Sequence, residues 1–174
     1  KDVKAPPINV WGVSDKDLFA EANKRLTETA APFFAYIQTA GNHRPFQRSI
    51  SPADTDFKRD TLSMEVLQAN GFESVDEYNA FRYSDYCIRS FINAAATQPF
   101  FNNTIFVFIG DHGVAGNAQA VYPSVWTEQR LTDLHVPLLF YAPALLAPQR
   151  RSEVVSQIDV LPTLAGLLHR SYQN

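Results

Sequence analysis

The 174-residue chain has little cysteine, little net charge and no long apolar run. Its one cysteine, Cys87, cannot form an internal disulfide, and the apolar periodicity around it favours a buried structural thiol over a nucleophile. Cysteine usage therefore leaves the redox compartment open. No apolar stretch approaches the roughly 20 residues of a membrane span, and no signal peptide opens the sequence.

The charge balance is also modest and excludes one class of partner. The chain has 15 Lys and Arg residues and 18 Asp and Glu residues, which gives a net charge of -3, and its basic residues do not cluster into a stripe. The electrostatic footprint of a nucleic-acid-binding protein is therefore missing. A hydrophobic fraction of 45% is ordinary for one globular domain with a sizeable core. Because residue 1 is Lys and not Met, we expect a piece of a longer protein.

Helices are predicted in four places. Ser14 with Asp17, and Ser74 with Glu77, have the spacing of capping boxes at helix starts. Apolar residues recur at helical spacing after both. The predicted helices cover about 14–29, 74–96, 127–133 and 157–169, and residues 40–60 are predicted to form a long loop.

Short apolar segments between these helices predict strands at 32–39, 104–109 and 136–142. None shows the alternation of a half-exposed strand. This pattern predicts an α/β fold with a mainly parallel sheet and helices on both faces. In such sheets ligands bind beyond the carboxyl ends of the strands.

That rule selects candidate site residues. His43 and Arg44 follow the first predicted strand, and Asp111 and His112 follow the second in "TIFVFIGDHG". Carboxylate and imidazole side chains can both ligate a metal. Each candidate also has a simple structural interpretation: Asp111 could cap a turn, and His43, Arg44 and His112 could be exposed loop residues without a function. His135 precedes the third strand. In an all-parallel sheet it would lie at the opposite end, so we interpret it as structural.

Other polar residues have simple structural interpretations. Asp15 is expected to be a helix-start carboxylate and Trp11 a packed aromatic. Asp159 is expected to cap its helix, and His169 to be solvated.

Four segments of the chain together resemble, in order and spacing, the sulfatase-like branch of the alkaline phosphatase superfamily. They are "WGVSDKDLF", "FFAYIQTAGNHRPF", "TIFVFIGDHG" and "HVPLLFYAP…QIDVLPTLAGLL". Within that branch the chain most resembles the catalytic domains of lipoteichoic acid synthase and related phosphoglycerol transferases. The resemblance covers nearly the whole chain, and its specific parts are "NHxPF" and strand-"GDH".

The resemblance implies roles for these residues. It makes Asp111 and His112 ligands of a catalytic divalent metal, commonly manganese in this family, with magnesium, calcium and zinc as alternatives. It makes His43 a residue that binds the substrate's phosphate-bearing group. Independently of the resemblance, the charge of the neighbouring Arg44 could bind an anionic group. It also implies an extracytoplasmic location, periplasmic or at the cell surface, behind a membrane anchor.

One departure from the family pattern matters. The family's nucleophile, a threonine or a formylglycine, and a further acidic metal ligand precede these motifs, so we expect both upstream of Lys1. No Ser or Thr here lies in a matching motif. Residues 1–174 are therefore expected to be the C-terminal portion of one catalytic domain, inactive alone, which pairs with the upstream portion or self-associates.

Three functions remain open from the sequence. The leading one is metal-dependent phosphoglycerol transfer, and the second is sulfuric ester hydrolysis. The third is a non-catalytic module that binds anionic glycans or lipid headgroups. A phosphoethanolamine transferase is disfavoured because those enzymes resemble "SHG" where this chain has "NHRPF".

Overall fold

Serine side chains set the starts of the two long helices. In the computed structural model, which describes residues 3–173, α1 spans Asp15–Glu28 and α3 spans Val75–Ala95. Ser14 accepts a hydrogen bond from the backbone N–H of Asp17, and Ser74 accepts one from that of Glu77, both at 3.1 Å. Each serine satisfies an amide that has no partner within the helix. Both predicted helix starts are confirmed.

The core forms where α1 packs against α3. The rings of Phe19 and Phe91 stack across this interface at 4.8 Å between centroids. Phe106 joins them from the first strand, with its ring 6.0 Å from that of Phe91. The buried cluster comprises Phe19, Leu26, Ile50, Tyr83, Cys87, Phe91, Ala95 and Phe106.

The described strands are β1, Phe106–Ile109, and β2, Leu138–Tyr141, which form a two-stranded sheet. Together with the helices they make an incomplete α/β fold, and the predicted class is confirmed. The pair is antiparallel, however, with Phe106 opposite Tyr141 and Ile109 opposite Leu138. The predicted parallel arrangement is therefore wrong for this pair. The segment between the strands turns the chain back without a full crossover.

The strand predicted at 32–39 is not present in the structure. The segment runs without regular secondary structure, and Phe34 and Tyr36 are 76% and 78% exposed. Phe33 and Ile37 pack against the core on the other side. The alternation leaves an aromatic face uncovered, contrary to the expected burial on both faces.

The remaining elements are short. They are α2, Met64–Ala69; α4, Val125–Glu128; α5, Leu131–Leu134; α6, Val160–Leu167; and 3-10 turns at Phe46–Arg48, Phe101–Asn103 and Gln157–Asp159. The helix predicted at 127–133 is thus two short helices, and α2 was not predicted. Within residues 3–173, none of the helices combines the length and the apolar character needed to cross a membrane.

The buried position of Cys87 gives a first testable prediction. Its side chain is fully buried, and burial raises the pKa of the thiol to about 12. Since the thiolate is the reactive form, we expect no modification of the folded protein by a disulfide reagent at pH 8, and full modification in denaturant. Absorbance of the released chromophore measures both. Rapid modification of the folded protein would contradict the buried-thiol interpretation.

Candidate functional site

Asp111 and His112 form an exposed polar turn directly after β1. The backbone N–H of His112 donates to Asp111 Oδ1 at 2.9 Å, so Asp111 does cap the turn as its ordinary interpretation expects. His112 Nδ1 lies 2.8 Å from the carbonyl oxygen of Gly113. Because a carbonyl only accepts, Nδ1 carries the proton and Nε2 is left free. His112 Nε2 lies 3.8 Å from Asp111 Oδ2, and both side chains are largely exposed, at 67% and 78%.

The surroundings of His112 favour positive charge. The hydrogen bond to the Gly113 carbonyl raises the pKa of His112, and the negative charge of Asp111 raises it further. The same carboxylate and free nitrogen would attract a metal cation placed between them.

Glycines on both sides let this turn approach the chain before β2. A Cβ on Gly110 would lie 2.9 Å from Val136 Cβ, and one on Gly113 would overlap the carbonyl oxygen of Thr132. The Gly113 N–H donates to the Asp133 carbonyl at 2.8 Å. The motif therefore uses glycine where a side chain has no space.

Gln157 holds the turn from another direction. Its Nε2 donates to the carbonyl oxygens of Gly110 and Asp111, at 2.9 and 2.6 Å. The sequence did not single out Gln157. Its one signal is its place at the start of the segment that carries Asp159. Asp159 lies at the N-cap position of α6, but its side chain makes no cap hydrogen bond there and instead forms a capping box with Ser156.

The antiparallel strands correct the predicted position of His135. Because Ile109 pairs with Leu138, the residues before β2 lie at the same end of the sheet as those after β1. His135 is thus on the side of Asp111 and His112, not at the opposite end. Its ring packs edge-on against Trp126, with centroids 5.1 Å apart, which agrees with a structural role.

The loop that carries His43 is organised by Trp11. The Trp11 and His43 ring centroids are 3.9 Å apart. Trp11 Nε1 donates to the Arg44 carbonyl oxygen at 3.3 Å, and His43 Nδ1 lies 2.6 Å from the same oxygen. As in His112, the protonated Nδ1 leaves Nε2 free.

Asp15 holds the start of that loop. Its buried carboxylate accepts hydrogen bonds from the backbone N–H groups of Ala40 and Gly41, at 3.2 and 3.0 Å, and from Ser84 at 3.2 Å. Burial raises the pKa of Asp15, and these bonds partly offset the rise. Asp15 is therefore more than a helix-start charge, because it fixes backbone just before His43.

Arg44 is already paired. Its Nη2 contacts Glu73 Oε2 at 2.5 Å, with both side chains about half exposed. A Cβ on Gly116 would lie 3.8 Å from the other oxygen of Glu73. Glu73 thus lies between the Arg44 loop and the loop that follows His112. These contacts link the two predicted site loops indirectly, and a shared site for His43 and Asp111 stays a prediction.

The spacing of the Asp111 and His112 ligand atoms is compatible with one shared divalent ion. Two ligand atoms each about 2.1 Å from one ion lie within about 4 Å of each other. The 3.8 Å between Asp111 Oδ2 and His112 Nε2 meets that condition. The Gly113 carbonyl fixes the tautomer, as outer partners of metal-binding histidines do. Across residues 3–173 no group of three potential His, Cys, Asp or Glu ligands is found, so this pair does not by itself complete a metal site.

Comparison with known proteins gives consistent matches. The chain is 25% identical over 91% of its length to "Lipoteichoic acid synthase-like YvgJ", and 26% identical over 90% to "Lipoteichoic acid synthase 1", both from Bacillus subtilis. It spans only 26% and 24% of these relatives. A crystal structure of a protein in the alkaline phosphatase superfamily from Vibrio parahaemolyticus matches 97% of the chain and 37% of its own length, with 26% identity and a TM-score of 0.69.

The family model named Sulfatase matches residues 1–170. That match includes both site loops and both strands, together with the helix after Gln157. On this evidence the chain belongs to the sulfatase family, as its motifs predicted.

Proposed function

We propose that this chain supplies part of the catalytic site of a metal-dependent enzyme that acts on a phosphate or sulfate ester, most of all by phosphoglycerol transfer. The observation that carries the proposal is the pair of free donor atoms on Asp111 and His112, 3.8 Å apart at the end of β1. The family membership supports an enzyme. The names of the two Bacillus subtilis relatives favour phosphoglycerol transfer.

Asp111 and His112 would hold the metal. When bound, a divalent cation polarises an ester oxygen and stabilises the charge that develops there. One hard carboxylate and one imidazole form a mixed donor set, compatible with manganese and also with magnesium, calcium or zinc. Further ligands, including an acidic one, and the nucleophile would come from outside this chain.

His43 would bind the anionic group of the ester. Its Nδ1 proton is committed to the Arg44 carbonyl, so Nε2 is the ring nitrogen left to bind a ligand. In the protonated imidazolium, Nε2 donates a charge-assisted hydrogen bond to a phosphate or sulfate oxygen. Arg44 would add its remaining N–H donors, since Glu73 engages Nη2.

The substrate would then be a phospholipid or a glycan that carries such an ester. An extracytoplasmic domain of a membrane-anchored protein fits this substrate, and we include that location in the proposal. Sulfuric ester hydrolysis is the alternative within the family, and non-catalytic binding of anionic headgroups is the alternative outside enzymes.

The test compares the full-length protein with the 174-residue chain alone. With manganese present, we expect the full-length protein to release diacylglycerol from phosphatidylglycerol. The chain alone should show no turnover and should bind manganese weakly, because a stable catalytic site normally uses three or more protein ligands.

An aryl sulfate assayed in parallel separates the two chemistries, and light scattering detects self-association of the chain through its uncovered apolar surface. Turnover of the aryl sulfate alone would favour the sulfatase alternative. Robust turnover by a monomeric chain alone would contradict the expected external nucleophile.

A further inference from the structure

Trp11 contacts His43 in two independent ways. Its indole lies against the imidazole at 3.9 Å between centroids, tilted by 44°. Its Nε1–H and the Nδ1–H of His43 both donate to the carbonyl oxygen of Arg44. One ring surface and one shared acceptor therefore determine both where the imidazole lies and which of its nitrogens carries the proton.

Trp11 itself lies in a hydrogen-bonded turn. Its backbone N–H donates to Asn9 Oδ1 at 2.9 Å, and the Gly12 N–H donates to the Asn9 carbonyl at 3.3 Å. Gly12 has a φ of 136°, which glycine adopts readily. Asn9 Nδ2 reaches the Arg48 carbonyl at 3.4 Å, just beyond the His43 loop. The turn thus presents the indole to the loop from a fixed position.

The exposure of Trp11 argues against a packing role alone. Its side chain is 52% exposed, and it is absent from the buried core. A large aromatic that remains half exposed contributes little to core stability. Its ring contact is instead with the exposed His43, and its N–H donates to the carbonyl of the neighbouring Arg44.

Asp15 completes the support from the other end of the same segment. Its carboxylate binds the backbone at Ala40 and Gly41, before His43, whereas Trp11 binds after it at Arg44. A Cβ on Gly41 would overlap Asp15 Oδ2, so the loop lies directly on this carboxylate. The "WGVSD" segment therefore braces the His43 loop on both sides.

We propose that Trp11 is a positioning residue that fixes the ring of His43 and keeps its Nδ1–H on the Arg44 carbonyl, so that the second proton of the imidazolium lies on Nε2 and is directed to the anionic ester. This inference rests on the proposed ester-binding role of His43. Asp15 fixes the loop backbone, and Trp11 fixes the ring. Loss of the indole would free the imidazole to rotate, so binding of the ester would weaken more than the reaction step.

The test uses Trp11→Ala and Trp11→Phe in the full-length protein, with Val10→Ala as the matched control. Val10 is the neighbouring residue and is 89% exposed. Long-range proton–nitrogen spectra of protein labelled with ¹⁵N-histidine report the tautomer, and loss of one signal in His43→Gln assigns it. Steady-state kinetics on phosphatidylglycerol with manganese give KM and kcat.

In the neutral imidazole of the substrate-free protein, we expect wild type and Val10→Ala to show His43 with its proton on Nδ1, and Trp11→Ala to lose this single tautomer. KM should rise about three- to tenfold in Trp11→Ala, the size of one aromatic contact, while kcat changes by less than about twofold. Trp11→Phe keeps a ring but not the N–H donor, and it should recover part of the KM.

An unchanged His43 tautomer in Trp11→Ala would overturn the positioning role, whatever the kinetics. A changed tautomer with unchanged KM would support positioning by Trp11 and overturn ester binding by His43. Equal effects of Val10→Ala and Trp11→Ala on KM would also overturn the inference, because they would show a general disturbance of the turn.

Discussion

Asp111→Asn or His112→Ala in the full-length protein is expected to lower turnover by about a hundredfold or more while leaving the fold intact. Loss of an outer partner of a metal ligand already costs about ten- to a hundredfold, so loss of a ligand itself should cost at least as much. Both side chains are more than half exposed and lie outside the core, so the melting temperature should change little.

The matched control is Asp85→Asn, which removes the same charge from an exposed position on α3. Metal content by mass spectrometry, turnover and a thermal melt should be measured for all three variants. Turnover should be lost together with bound metal in the site variants only. Wild-type turnover in either site variant would refute its assignment as a ligand.

The helices could be predicted because their signals are local. Ser14 and Ser74 each accept a hydrogen bond from an amide three residues ahead, so the contact can be predicted directly from the spacing of the residues in the sequence. The apolar spacing after Ser74 likewise predicted the helix α3, although it did not mark Tyr83, which lies in the core beside Cys87 and Phe91.

Strand pairing could not be predicted because it depends on contacts between segments that are far apart in the sequence. The apolar character of β1 and β2 was visible, but nothing in "VPLLFYA" states which direction it takes beside "TIFVFI". The segment at 32–39 has strand-like composition and no strand partner among the described residues. A strand requires a neighbour with which to form hydrogen bonds, whereas a helix does not.

The candidate site shows the same division. Asp111 and His112 are adjacent in sequence, and the end of an apolar run was enough to select them. Gln157 reaches the Asp111 carbonyl from 46 residues away, and Trp11 reaches the Arg44 carbonyl across 33 residues. No spacing rule connects such pairs, so these long-range contacts could not be predicted, whereas adjacent residues such as Asp111 and His112 could be selected as candidates.

Gly113→Ala is expected to damage both the site and the fold. The added Cβ would overlap the Thr132 carbonyl oxygen, a backbone atom that a side-chain rotation cannot move. The Gly113 carbonyl also accepts from His112 Nδ1, so displacement of residue 113 would release the imidazole. We expect a loss of about 1–3 kcal/mol in unfolding free energy from overpacking. A shift of the ligands by about 1 Å would lower turnover by about a hundredfold.

Gly166→Ala is the matched control because it makes the same change in α6, where, among residues 3–173, no atom outside the adjacent residues and the local helix backbone lies within 4 Å of the new Cβ. Alanine should stabilise this helix by about 0.5–1 kcal/mol, the opposite sign to Gly113→Ala. Urea unfolding and manganese-dependent turnover of both variants measure the contrast. If Gly113→Ala kept wild-type stability and turnover, the turn could not lie against Thr132 as described, and the glycines that flank Asp111 and His112 would have no steric role.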